Sequence, residues 1–152
     1  MDRTRPTLNQ LNIVSGNPDA SIAFYRRLGI DIPEPRVWRT AIGIHHASAV
    51  EPQTPEAAGL DIDSVTFAPF WNEGWTGRSD LAGRVVVGFA VASRDEVDRL
   101  HDEMVAAGHR SLQAPWDAFW GARYAIIEDP DGIAVGLMSP ISAAHRSPPP
   151  DV

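Results

Sequence analysis

A chain of 152 residues with 43% hydrophobic side chains can bury a core, yet it is too short for two large domains of ordinary size. Cysteine and lysine are both absent, which excludes disulfides, thiolate metal sites, cysteine nucleophiles and Schiff-base chemistry on a lysine amine. The formal charge is -7, and all 13 basic residues are scattered arginines, which argues against a nucleic-acid partner. No apolar run approaches the roughly 18 residues that span a bilayer, and the opening MDRTRPTLNQ has no hydrophobic signal segment. A cytoplasmic protein without a membrane partner is expected.

Leu8 to Val14 reads as a strand, with Leu8, Gln10, Asn12 and Val14 on one face and Asn9, Leu11 and Ile13 on the other. Ser15 to Pro18 stops it. Asp19 or Asn17 can cap a helix from Ala20 to Leu28 whose apolar side is Ile22, Phe24, Tyr25 and Leu28, with Gly29 as the exit. Strands follow at Ile30 to Ile32, Val37 to Thr40, about Ile42 to Val50 and Leu60 to Phe67. The segment 68–83, APFWNEGWTGRSDLAG, carries proline, three glycines and two tryptophans, and reads as a connecting loop.

The order then repeats. Val85 to Val91 is a strand and about Asp95 to Ala107 a helix, with Ser93 as N-cap and Glu96 completing a capping box. Val97, Leu100, Met104 and Val105 form its apolar stripe, while His101 and His109 fall on its surface and at its end. A short strand near Ser111 to Gln113 leads to a tryptophan-rich turn. The hairpin Tyr124 to Ile127 and Ile133 to Met138 closes around Glu128-Asp129-Pro130-Asp131-Gly132, where Pro fixes φ, Asp bonds back to the backbone and Gly accepts positive φ. After Met138 the tail has no apolar period, and flexibility is expected over 141–152.

A duplicated β-α-β-β-β unit, with LNQLNIVSGNPDASIAFYRRLG at its first helix and an Asp-Pro-Asp-Gly turn before its last strand, resembles the vicinal oxygen chelate superfamily. That superfamily includes glyoxalase I, extradiol dioxygenases, fosfomycin-modifying enzymes and bleomycin-resistance proteins. The resemblance covers most of the chain. It implies an α+β fold in which two paired β-α-β-β-β modules, about 8–67 and 84–138, form a curled mixed sheet around a cleft, usually in a homodimer. Fold alone does not choose the chemistry.

Metal enzymes of this superfamily place four ligands on cleft-facing strands. By resemblance the first position falls on Gln10, and the second near Asp61 or Asp63, two carboxylates on one strand face. The third falls within Val85, Val86 and Val87, where no ligand exists, and the fourth falls close to Gly136, where a metal enzyme would show glutamate. This pattern predicts no conventional metal. The alternative is one divalent ion in an unusual site built from Gln10, His45, His46, Asp61 and Asp63, although adjacent strand histidines point to opposite faces.

Without a metal the candidate lining is aromatic: Trp71 and Trp75 from the connecting loop, then Trp116, Phe119 and Trp120 before the hairpin, suited to planar or cationic ligands. Trp120-Gly121-Ala122-Arg123 also resembles the Trp-Gly-x-Arg segment of bleomycin-resistance-type proteins. Arg123 offers a guanidinium to a ligand carboxylate, or pairs with Glu128 or Asp129 across the hairpin. Asp117 can receive a cationic ligand or organise the turn. The leading expectation is a protein that binds a small aromatic or amphipathic organic molecule, as in sequestration or resistance, with no assigned catalytic residue. The rival is a metal-dependent lyase, isomerase or dioxygenase. A third reading makes the tryptophan-rich loop a protein interface.

Overall fold

The computed structural model describes residues 8, 10–50, 57–77, 83 and 85–151. The chain divides into two compact units, Met1–Gly77 and Arg78–Val152. Each unit contains one four-stranded mixed sheet with a helix on one face, and the class is α+β.

In the first unit, β1 (Gln10–Ser15) alternates as its sequence dictates: Ile13 and Ser15 are buried, while Gln10 and Asn12 face outward. The helix α1 (Pro18–Arg27) begins two residues before the expected start, because proline at the first helical position is preorganised and lacks only an N–H that would be orphaned anyway. Of the two candidate caps it is Asn17 whose side chain accepts from the Ala20 N–H, at 3.1 Å. Ile22, Phe24 and Tyr25 are almost wholly buried, each contributing on the order of 1.5–3 kcal/mol by leaving water. A 2.7 Å hydrogen bond between the hydroxyls of Ser15 and Ser21 satisfies both where helix meets sheet.

The sheet continues through β2 (Val37–Thr40), β3 (Gly43–Ser48) and β4 (Gly59–Ser64), in the order β1-β4-β3-β2 with β1 and β4 parallel. The strand expected at Ile30 to Ile32 is not formed. There the Arg26 guanidinium takes the Ile32 carbonyl at 2.8 and 2.6 Å, and Pro33 leads into a 3-10 turn over Glu34–Arg36. Inside the segment read as a loop lies a one-turn helix, α2 (Ala68–Trp71), with proline near its start.

The second unit repeats the plan with β5 (Val86–Ala90), α3 (Arg94–Ala106), β6 (Ser111–Asp117), β7 (Arg123–Glu128) and β8 (Ala134–Met138), ordered β5-β8-β7-β6 with β5 and β8 parallel. The Ser93 hydroxyl accepts from the Glu96 N–H at 3.2 Å and caps α3. Val97, Leu100 and Met104 are buried, but Val105 is exposed. His101, expected on the helix surface, is buried instead and bonds the Ser111 hydroxyl through Nε2 at 2.7 Å. It lies one position beyond Leu100 and four beyond Val97, so β6 covers that edge of the apolar stripe.

β6 runs four residues past the predicted Gln113, carrying Trp116 and Asp117 into the sheet. Proline is tolerated there because β6 is the edge strand and its register breaks on both sides of Gln113. The closing hairpin turns as expected: Asp129 Oδ1 accepts from the Asp131 and Ile133 N–H groups at 2.8 and 2.9 Å, and Gly132 takes φ +82°. Residues 142–147, expected to be part of a flexible tail, are tethered to the tryptophan turn. Ser142 N–H donates to the Gly121 carbonyl and Ser147 N–H to the Phe119 carbonyl, each at 3.0 Å, and Trp120 bridges Arg146.

Candidate functional site

On the sheet face of the first unit opposite the buried side chains Ile13 and Ile62, polar residues of β1, β3 and β4 meet. The Gln10 amide donates to Asp61, and the Asn12 amide donates to Asp63 Oδ2 at 2.8 Å. His46 lies directly across from Asp63 in the β3 and β4 register, with Nδ1 2.5 Å from Asp63 Oδ1. A carboxylate only accepts, so Nδ1 is the donor in this contact, and Nε2 is the ring nitrogen turned away from Asp63. Asp63 is only 2% exposed, and a carboxylate so removed from water is sustained by these two hydrogen bonds.

The opposite-face expectation for His45 and His46 is corrected by a bulge. Trp38 pairs with His46 and Arg39 with Ile44, leaving His45 as an additional residue between them. Ile44 and Ala47 on either side are both buried, while both histidines join one aromatic cluster. His45 packs on Trp38 at 4.7 Å between ring centroids, Trp38 meets Phe67 edge-on at 5.3 Å, and Phe67 meets His46 at 6.4 Å. His45 Nε2 is engaged by the Thr40 hydroxyl at 2.7 Å.

Of the five alternative metal donors, Gln10 is therefore turned to Asp61, His46 to Asp63 and His45 to Thr40. Among the described residues no three His, Cys, Asp or Glu side chains converge as an ion would require. Trp71 ends α2 half exposed, and Trp75 follows in a turn held by the Asn72 carbonyl.

In the second unit the sheet face turned away from Ala125, Ile127, Val135 and Leu137 is aromatic. Trp116 pairs with Tyr124 across β6 and β7, which sets both on that face. Trp120 is the hub: it meets Trp116 at 5.6 Å, Phe119 at 5.1 Å and Tyr124 at 5.4 Å, all near edge-to-face. All four rings are half-buried. Trp116 Nε1 is buried without an acceptor among the described residues. Tyr124 lies over Gly136, such that a Cβ there would stand 2.8 Å from the tyrosine hydroxyl and 3.2 Å from Val86 Cγ1. Burial pushes the Tyr124 phenol above its ordinary pKa.

Arg123 pairs with neither Glu128 nor Asp129. Its Nε donates to Asp98 at 2.9 Å and its Nη1 to Asp117 at 3.2 Å, and Asp117 is also held by Arg94. The Asp98 hydrogen bond, outweighing burial, raises the Arg123 pKa and fixes its charge. Both guanidinium and carboxylate are thus engaged within the unit. Tyr124, Asn12, Trp38 and Phe67 were not singled out by sequence. Alternation could have flagged Asn12 beside Gln10, and Tyr124 opens the hairpin already recognised.

A sequence model of the Glyoxalase/Bleomycin resistance protein/Dioxygenase superfamily matches residues 7–137. The chain belongs to this superfamily. No curated protein matches the sequence. Solved structures similar to this glyoxalase-superfamily chain include a glyoxalase/bleomycin resistance protein/dioxygenase from Nocardioides, at 24% identity over 99% of this chain and 92% of that one, TM-score 0.64. A glyoxalase-related enzyme from Fulvimarina pelagi is 21% identical over 90% and 93%, TM-score 0.69. A lactoylglutathione lyase from Agrobacterium tumefaciens is 16% identical over 90% and 96%, TM-score 0.63. At these identities the likeness is one of fold, and it agrees with the two four-stranded units. No described helix is long and apolar enough to cross a membrane.

Proposed function

We propose that this superfamily member binds a small organic molecule with a planar aromatic face, without a conventional metal, in a sequestration or resistance role. The observation that carries the reading is Tyr124 lying over Gly136. Where the superfamily's metal enzymes supply a glutamate, this chain has no side chain, and the space beside the backbone is filled by a ring that belongs to the Trp116, Phe119 and Trp120 cluster. Val86 contributes a further apolar contact close to the other expected ligand position. Aromatic rings of few rotatable bonds give contact area at small entropic cost. Arg123, engaged by Asp98 and Asp117, holds the turn in place rather than reaching the ligand. Assembly as a homodimer accompanies this reading by resemblance.

Titration of chelator-treated protein with a panel of planar compounds, followed by tryptophan fluorescence, tests it. Saturable quenching is expected, weakened at least about fivefold by Trp120→Ala, since removing a stacking ring costs on the order of 1–3 kcal/mol. Absence of saturable quenching across the panel overturns it. A metal-dependent lyase, isomerase or dioxygenase is the second reading, supported by Gln10, His46, Asp61 and Asp63 sharing one sheet face. Stoichiometric metal in protein purified without chelator would replace our reading with that one.

A further inference from the structure

The polar face of the first unit contains an arrangement that the aromatic binding surface does not use. His46 is held through Nδ1 by Asp63, and Asp63 is held in turn by Asn12 at 2.8 Å. Asp63 is the buried member, 2% exposed, whereas the His46 side chain is 33% exposed. Among the described residues His46 Nε2 has no hydrogen-bond partner, and it is not one of the buried unpartnered atoms. It is therefore a ring nitrogen open at the surface of the unit. The buried His101, by contrast, engages both nitrogens, with Asp102 and Ser111.

The surroundings restrict the chemistry. No cysteine exists in the chain, and no hydroxyl is bonded to His46 that it could activate as a nucleophile, so the available step is proton transfer. The neighbours are rings: Phe67 beside His46, then Trp38, which is 50% exposed, and His45 tilted against it. They suit a flat apolar body whose acidic hydrogen is activated by delocalisation.

We infer that His46, positioned by Asp63, is a metal-free general base for a small aryl carbonyl compound bearing a hydrogen on the carbon between ring and carbonyl. The Nε2 lone pair takes that proton. The C–H electron pair becomes the C=C bond of an enolate as the carbonyl π pair moves to oxygen. The imidazolium, steadied by Asp63, then returns a proton to carbon, or to oxygen as the enol. Nothing is oxidised or reduced, and no co-reactant is consumed. Asp63 is a positioning residue: it fixes the tautomer that leaves Nε2 free and favours the cation formed. The inference uses only first-unit residues and stands apart from the aromatic site of the second unit.

Deuterium incorporation into phenylacetone and 2-tetralone, followed by proton NMR in amine-free deuterated buffer at constant pD, provides the test on chelator-dialysed full-length protein. Acceleration over buffer on the order of 10²-fold is expected, at the low end of general-base contributions. His46→Gln should return the rate to that of buffer, while His145→Gln should leave it unchanged. Asp63→Asn should lower it at least about tenfold, and a long-range proton-nitrogen spectrum should show His46 shifting from the Nδ1–H tautomer to a mixture. No acceleration with either ketone overturns the inference, as does a rate that survives His46→Gln or appears only when a divalent metal is added back. A folded Asp63→Asn variant with unchanged rate and tautomer overturns the positioning role. If that variant does not fold, His46→Gln at its partly exposed position decides.

Discussion

Gly121 shows how much one residue can fix. Its φ is +99°, and a Cβ would lie 2.4 Å from the Ser142 carbonyl oxygen and 2.9 Å from Arg146. Backbone conformation and backbone contact both demand glycine there. Gly121→Ala is expected to lower stability by about 2 kcal/mol or more, because the left-handed conformation alone costs roughly 1–3 kcal/mol and the docked segment must also withdraw. Urea denaturation measures it, and Gly88→Ala is the comparison, since nothing lies within 4 Å of a Cβ at that position and its φ is not positive. A small effect at both sites would show that 142–147 is held loosely. The Trp-Gly-x-Arg segment was readable in sequence, but the reason for its glycine was not: the contacting carbonyl is contributed from 21 positions downstream.

Among the elements, legibility followed the range of the forces. α1, α3 and the last hairpin are specified by neighbours in sequence: Asn17 and Ser93 cap, Gly29 and Gly108 exit with positive φ, and Asp129 closes its own turn. Ser93→Ala is accordingly expected to cost about 1 kcal/mol, in the range of 0.5–2 kcal/mol typical of caps, read as a lowered urea midpoint with unchanged slope. The Glu96 carboxylate that would close a capping box is bound by Arg99 at 2.5 and 2.9 Å, so the hydroxyl is the cap's principal contact. What sequence missed depends on partners far along the chain. The bulge at His45 is set by pairing with β2, residues 30–32 are diverted by Arg26, and β6 is drawn to Asp117 by pairing with β7. Strict alternation therefore separated His45 from His46, and the hydrogen bond that joins His46 to Asp63 depended on the register of β3 on β4.

At the scale of the whole molecule, a charge of -7 is distributed around arginines that carry all the basic character. The Arg39 hydrogen bond, then that of Arg26, lowers the Glu34 pKa below its ordinary value, and Arg99 does the same for Glu96. A folded-state pKa below the unfolded one gives stability that is present above the ordinary carboxylate range and lost as pH falls through the folded value. Glu34 is exposed and Glu96 is open to water on one side, so the contribution is small and screened by salt. Arg39→Gln is expected to move the acid-unfolding midpoint, followed by circular dichroism, slightly upward in pH at low salt and not at high salt. An unchanged midpoint at low salt would show that the pair is inert. The superfamily and the α+β plan were legible from the repeated order and the Asp-Pro-Asp-Gly turn. Of the candidate aromatic site, the tryptophans and the side-chain-free position at Gly136 were legible, and Tyr124 between them was not. Tyr124 over Gly136 also bears on ancestry. A side chain introduced at 136 would press on Tyr124 and Val86, and a smaller residue at 124 alone would open a hole without supplying a ligand. On the aromatic-binding reading proposed above, regaining a glutamate at 136 requires the Tyr124 ring to give way, and the order with fewer obstacles clears the ring first.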